Sequence, residues 1–242
     1  MITHLRTALF SFVLIATSQV VNCQIDTFNK AADDLLQQYV QDGAVDYQAL
    51  QTNGKSLSKA IDQMNSIHLE DLEENEVLPF YINAYNLLVI HQVLQSYPVA
   101  SVMDVKDFFT DKNINFQGDT KSLNEIERDI FEKFPNDPRL HFVVVCGAVG
   151  CPQLSNRAFT KNNLRAKLKK LTRDAVNNPK LVELDMHEKK VHLSKIFEWY
   201  QSDFTKKNAL LEFINYHRLQ DIPNGFEVVY KEYDWSLNDL PR

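Results

Sequence analysis

The chain has 242 residues, 44% of them hydrophobic, with 26 basic and 32 acidic side chains and a net charge of −6. That length suits one sizeable domain with its own core. An acidic balance without a basic run argues against nucleic acid, whose phosphates must be neutralised to be bound.

Residues 1–23 read as a signal peptide. His4 and Arg6 precede an apolar run from Ala8 to Ala16 that is too short for a comfortable membrane span, and Thr17 to Cys23 form the processing region. The expected mature chain, 24–242, is a single globular domain without a membrane span. It is exported, secreted or periplasmic, with lipidation of Cys23 or a retained anchor as the alternatives to ordinary cleavage. Removal of Arg6 and of no acidic residue takes the charge from −6 to −7. Export means an oxidising compartment in which Cys146 and Cys151 are the remaining thiols. Two cysteines make no disulfide scaffold, so the fold must stand on its core.

Asp26 to Gln41 has helical spacing in Phe28, Ala31, Ala32, Leu35, Leu36, Tyr39 and Val40, and Gly43 ends it. Val45-Asp46-Tyr47 is a brief extended or turn piece, and Asn53 to Ser66 a second, more polar helix. Glu74 to Gln95 is apolar nearly all round, as a buried helix is. Yet it carries Asn83 and Asn86, whose amides need partners. They bond neighbouring loop backbone in the simpler account, and orient a catalytic group or substrate in the other. Tyr97-Pro98 stops the helix.

Asn113 to Phe116 and Gly118-Asp119 read as strand and turn. Ser122 and Glu125 form a capping box that opens a helix running to about Phe134. Glu127 falls inside its apolar stripe, where an acid is costly unless paired. Either it makes a structural ion pair, with Arg139 as one partner, or it is an orienting carboxylate. Asn163 to Val176 is a cationic amphipathic helix, most simply a solvated face. Leu181–Leu184 and Lys190–Leu193 form a hairpin, and Ser194 caps an aromatic-rich helix to Phe204. Ala209–Tyr216 is a last helix, and Phe226–Tyr233 alternates like a strand.

The chemistry concentrates at Leu140 to Pro152, which reads as an apolar central strand ending at Cys146, a turn at Gly147, and Cys151 before Pro152. In a regular strand His141 and Cys146 point to opposite faces and lie about 17 Å apart. A dyad of these two therefore needs a sharp bend. Four readings of the thiols compete. The first is a nucleophile, Cys146, with His141 as base and Glu127 as orienting acid. In that scheme Cys151 is a rival nucleophile, placed by Pro152 near a helix N-terminus. The others are a catalytic zinc on the His-x4-Cys-x4-Cys spacing, a Cys146–Cys151 disulfide, and two buried structural thiols. His91 reads as a core histidine, while His187 and His192 in the hairpin are rivals to His141. The pattern implies no cofactor and no resident metal.

The chain resembles the domain of unknown function 547 family. The resemblance rests on Val45-Asp46-Tyr47, Phe80 through Asn86, Ser122-Leu123 through Ile126-Glu127, His141-Phe142 through Cys146-Gly147-Ala148, and Cys151-Pro152. It continues in Leu193 through Phe197, Trp199-Tyr200 and Tyr233 through Asn238. Arg128 and Tyr81 stand where the family commonly has His and Trp. The resemblance implies an α/β (α+β) fold, helix-rich around a small central β-sheet, with a suspected papain-like or transglutaminase-like kinship. Carried over residue by residue, it supports Cys146, His141 and Glu127 as a catalytic set, with Asn83, Asn86 and Cys151 in binding or orienting roles. Two functions are expected from this. One is a thiol-dependent hydrolase or acyl transferase, with Cys146 attacking a carbonyl, His141 moving the proton and Glu127 fixing the imidazole. The other is a non-catalytic exported binding module pinned by a Cys146–Cys151 bridge. The expected partner is a substrate the sequence does not identify or another protein, and not nucleic acid.

Overall fold

The computed structural model describes residues 24–207 and 209–241, so the expected signal segment and Cys23 lie outside the described residues. Helices dominate, in an α/β mixture with three small sheets. The first helix, α1, covers 24–39 and runs into the two-residue strands β1 (Val40–Gln41) and β2 (Ala44–Val45). Asp46 then caps α2 (Tyr47–Thr52) by accepting from the Ala49 N–H, and α3 (Lys55–Asn65) follows.

Helix α4 (Glu74–Ser96) is the axis of the core. At its N-terminus the Glu76 carboxylate accepts from the Glu73 N–H at 3.2 Å, and the Glu76 N–H donates to the Glu73 carbonyl at 2.8 Å. Among the described residues it alone is long and apolar enough to cross a membrane, but it lies mostly buried inside the fold. A hairpin of β3 (Ile114–Phe116) and β4 (Asp119–Lys121) leads to α5 (Leu123–Lys133), started by the Ser122–Glu125 capping box. After the cysteine loop come α6 (Leu164–Asn177) and the antiparallel pair β5 (Val182–Asp185) and β6 (Lys190–Leu193). Strand β7 (Glu227–Tyr230) later adds to β6 in parallel.

Two expectations change. The aromatic-rich helix after Ser194 is broken into α7 (Lys195–Trp199) and α8 (Gln201–Phe204), because Tyr200, at φ −109° and ψ 26°, leaves helical geometry. A short α9 (Leu210–His217) follows. The second change is at the centre. Leu140–Cys146 is not a strand. Asp137 accepts from the Arg139 N–H and Pro138 occupies the first position of a 3₁₀ helix, Pro138–Phe142, after which the chain bends irregularly.

The run is apolar because it is surrounded, not because it belongs to a sheet. Leu140 and Val143 pack into one hydrophobic cluster, built on α1 to α5. Phe142 packs into the other, built on α6 to α9 and the three-stranded sheet. Its backbone groups find partners outside any ladder, as buried amides must. Asn86 accepts from the Val145 N–H at 3.1 Å and donates to the Val143 carbonyl at 2.8 Å.

The C-terminal segment completes the loop. Val149 and Gly150 N–H donate to the Ser236 and Asp234 carbonyls at 2.8 Å each, and Asn238 N–H donates to the Gly147 carbonyl at 3.0 Å. Two glycines make this approach possible. Gly147 has φ +79°, and a Cβ there would press on Val89 at 3.3 Å. A Cβ at Gly150 would lie 2.9 Å from the Asp234 carbonyl oxygen.

Candidate functional site

The bend brings together what a strand would have separated. His141, Cys146 and Cys151 line one cavity of about 130 Å³ with Glu127 of α5 and Tyr85 of α4. Its outer wall is aromatic: Trp199 and Tyr200 from the α7–α8 break, and Tyr233 and Trp235 from the C-terminal segment. The Trp199, Tyr233 and Trp235 rings contact one another at centroid distances of 4.6 to 5.9 Å.

The sulfurs are joined. Cys146 and Cys151 form a disulfide across a Cα–Cα distance of 6.4 Å. Tyr233 Oη stands 3.2 Å from each sulfur, and the Cys146 N–H donates to Cys151 Sγ at 3.0 Å. Pro152 does not open a helix; the next one, α6, begins only at Leu164. The helix N-terminus expected to favour a Cys151 thiolate is therefore not there. The His-x4-Cys-x4-Cys spacing does not gather into a metal-binding cluster either. Among the described residues no group of three or more His, Cys, Asp or Glu side chains is placed to hold an ion.

His141 is held differently from expectation. Its imidazole packs against both the Phe131 and Tyr200 rings, at centroid distances of 4.3 and 4.1 Å, with its side chain only 2% exposed. Nε2 meets Asp203 Oδ2 of α8 at 2.9 Å. Burial lowers the imidazole pKa to about 4, and the Asp203 hydrogen bond offsets this only in part. The ring is thus neutral near pH 7, with Nε2–H donating to the carboxylate. Burial works to raise the Asp203 pKa, but hydrogen bonds from His141 and Lys206 prevail and hold it below the usual carboxylate range.

Glu127 bonds other partners than His141. Its Oε2 accepts from the Tyr85 hydroxyl at 3.0 Å and its Oε1 from the Tyr200 hydroxyl at 3.1 Å. The residue keeps some exposed surface, but its carboxyl is enclosed by protein. That burial raises its pKa against the pull of the two tyrosines. The expected ion pair with Arg139 is absent, because Arg139 makes a two-pronged contact with Asp137 at 2.7 and 2.6 Å. So the carboxylate that orients His141 is Asp203, while Glu127 is the hub of a tyrosine network.

Asn83 and Asn86 lie outside the cavity lining. Asn83 accepts from the Phe159 N–H at 2.8 Å and donates to the Phe159 carbonyl at 2.7 Å. Each amide is spent on loop backbone, the simpler of the two expectations. Asn86 still bears on the site, since it holds the chain one residue before Cys146.

Sequence reasoning passed over Asp203 and did not place Tyr85, Tyr200 or Tyr233 in the cavity. The legible trace of Asp203 is an acid beside the buried Phe204 in the aromatic stretch from Phe197. The tyrosines offer no such sign, because a phenol reads equally well as core.

Comparison with known families adds one match: residues 69–175 fit a family model described as "Protein of unknown function, DUF547". That span holds Tyr85, Glu127, His141 and both cysteines, and leaves out Asp203 and the outer aromatic wall. No curated protein and no solved structure matches the chain.

Proposed function

We propose that this chain, whose residues 69–175 match the DUF547 family model, is an exported, non-catalytic binding domain whose ligand enters the aromatic cavity over the Cys146–Cys151 bridge. The observation that carries this reading is the bridge itself, since a sulfur in a disulfide is not a thiolate nucleophile. Three further features support it. Glu127 is engaged by tyrosines instead of His141. The His141 imidazole is too weak a base for efficient proton transfer near neutral pH. The walls are aromatic with a few polar groups, the Glu127 carboxyl and the His141 imidazole among them, a lining that suits a small ligand with an apolar body. A disulfide is at home in the oxidising compartment to which residues 1–23 would direct the chain.

Two measurements test the reading. Intact mass without reductant is expected to show the loss of two hydrogens, with neither cysteine labelled by iodoacetamide in the folded protein. Both tryptophans of the chain, Trp199 and Trp235, line the cavity, so intrinsic tryptophan fluorescence reports on it directly. Small aromatic ligands should quench or shift that emission, and Tyr233→Ala should abolish the response. Free thiols in the exported protein, together with emission indifferent to every ligand tried, would sink the proposal.

The hydrolase reading keeps one supporting observation: Cys146, His141 and Glu127 line the same cavity, and Asp203 orients the histidine. Under it, reduction of the bridge would release a thiol into the cavity that the Asp-supported imidazole also lines. Ester or thioester hydrolysis should then appear only with reductant and vanish in Cys146→Ala and His141→Ala. Reduced protein that labels at Cys146 yet turns over no such substrate removes this reading.

A further inference from the structure

A second concave surface, of about 610 Å³, uses none of the aromatic cavity's residues. Helix α6 contributes Arg165, Lys169 and Arg173, which fall on one face because residues four apart are neighbours on a helix. All three are exposed, and among the described residues none of the three side chains has an acidic partner or a hydrogen bond. Their neighbour Lys170 does have one, pairing with Asp174 at 2.6 Å.

Across the groove stand two arginines already fixed in place. Arg139 is held by Asp137, and Arg218 donates through Nη1 to the Val176 carbonyl at 2.6 Å and through Nε to the Gln220 carbonyl at 2.8 Å. His217 sits beside Arg218, and Tyr216, 83% exposed, forms the rim. Every other lining residue is basic, on a chain whose net charge is −6. Asp137 is spent on Arg139, Asp174 on Lys170, and Asp221 lies near Arg218.

We infer that this groove is a binding site for a multiply charged phosphate ester. Three like charges in line on α6 repel one another, and the fold supplies no acid to relieve them. Guanidinium groups match the paired oxygens of a phosphate, and Arg139 and Arg218 enter the groove with their rotamers restrained. From Arg165 to Arg173 the helix rises roughly 12 Å, room for more than one phosphate group. The net charge of −6 disfavours a long polyanion tracking across the molecule and favours a compact ligand that fits inside the basic patch. Such a group is carried by a free phosphorylated molecule or by a lipid headgroup.

The test uses the whole chain. Pyrophosphate and inorganic phosphate are titrated by calorimetry at low salt, and vesicles of phosphatidylglycerol in phosphatidylcholine are assayed by co-sedimentation. Pyrophosphate is expected to bind more tightly than phosphate and to weaken at least roughly tenfold in a combined Arg165→Gln, Lys169→Gln, Arg173→Gln variant, as loss of charge-assisted hydrogen bonds requires. Lys170→Gln should bind like the parent. The changed side chains are exposed, so the variants should melt with the parent. Co-sedimentation that the combined variant loses identifies a lipid headgroup as the source; pyrophosphate binding without it identifies a free molecule. The inference is overturned if neither probe binds, if the combined variant binds as well as the parent, or if duplex DNA is retained in preference to pyrophosphate.

Discussion

At His141 a single imidazole ties the site to the stability of the fold. Its ordinary pKa of 6.5 falls to about 4 in the folded chain, first because burial penalises the charged ring and despite the Asp203 hydrogen bond. The unfolded chain therefore binds this proton more readily than the folded one. The contribution to stability is complete above the unfolded value and is lost as pH falls from about 6.5 towards about 4. The amount at stake is about 3 kcal/mol. Denaturant unfolding followed across that range should show the loss, and His141→Gln should flatten it; a variant that keeps the parent's slope would assign the proton elsewhere. Glu127 acts in the opposite sense. Its raised pKa adds stability at acid pH that is lost as pH rises through the folded value, so Glu127→Gln makes the appropriate background for the His141 measurement.

Among the elements, α4 does two jobs with one surface. Its apolar residues fill the first cluster, while Asn83 and Asn86 clamp two loops that have no sheet to hold them. A buried amide that serves both an N–H and a carbonyl leaves two polar groups stranded when removed. Asn86→Ala should therefore cost about 2–4 kcal/mol in denaturant unfolding. Because the clamp holds 143–145, the variant should also make the Cys146–Cys151 bridge easier to reduce. A loss below about 0.5 kcal/mol would mean that water or a shifted loop replaces the amide. The break between α7 and α8 is a comparable economy. At Tyr200 the chain leaves the helix, the ring lies on His141 and the hydroxyl reaches Glu127, while α8 resumes in time to present Asp203.

For the molecule as a whole, the cysteine loop is the seam between its two hydrophobic clusters. The cavity takes Tyr85 and Val144 from one side and Ile196 and Tyr200 from the other. Closing a loop of five-residue separation removes only a little freedom from the unfolded chain, so the bridge should contribute about 2 kcal/mol. Replacing both cysteines by alanine should lower the melting temperature by roughly 5 °C for a chain of this size. The far-UV spectrum should be unchanged, because the clusters rather than the bridge carry the fold. Collapse of the fold on reduction would contradict that division of labour.

Much of this was readable along the chain wherever a local signal sufficed. The capping box at Ser122–Glu125, the buried character of α4, the β5–β6 hairpin and the amide-to-loop bonds of Asn83 and Asn86 all follow from periodicity and from the need of buried amides for partners. So does the attention drawn to Glu127, an acid on an apolar stripe. The reading failed at Leu140–Cys146, because a short apolar run looks the same whether a sheet or two hydrophobic clusters surround it. With that strand went the predicted separation of His141 from Cys146, which the 3₁₀ turn and bend bring to one cavity. Which acid meets the imidazole was likewise beyond local pattern. Asp203 lies 62 residues from His141, and Tyr233 lies 82 residues from Cys151. Periodicity reports which face of an element is covered. Pairings across such distances depend on how the covered faces dock, and that is a property of the packed molecule alone.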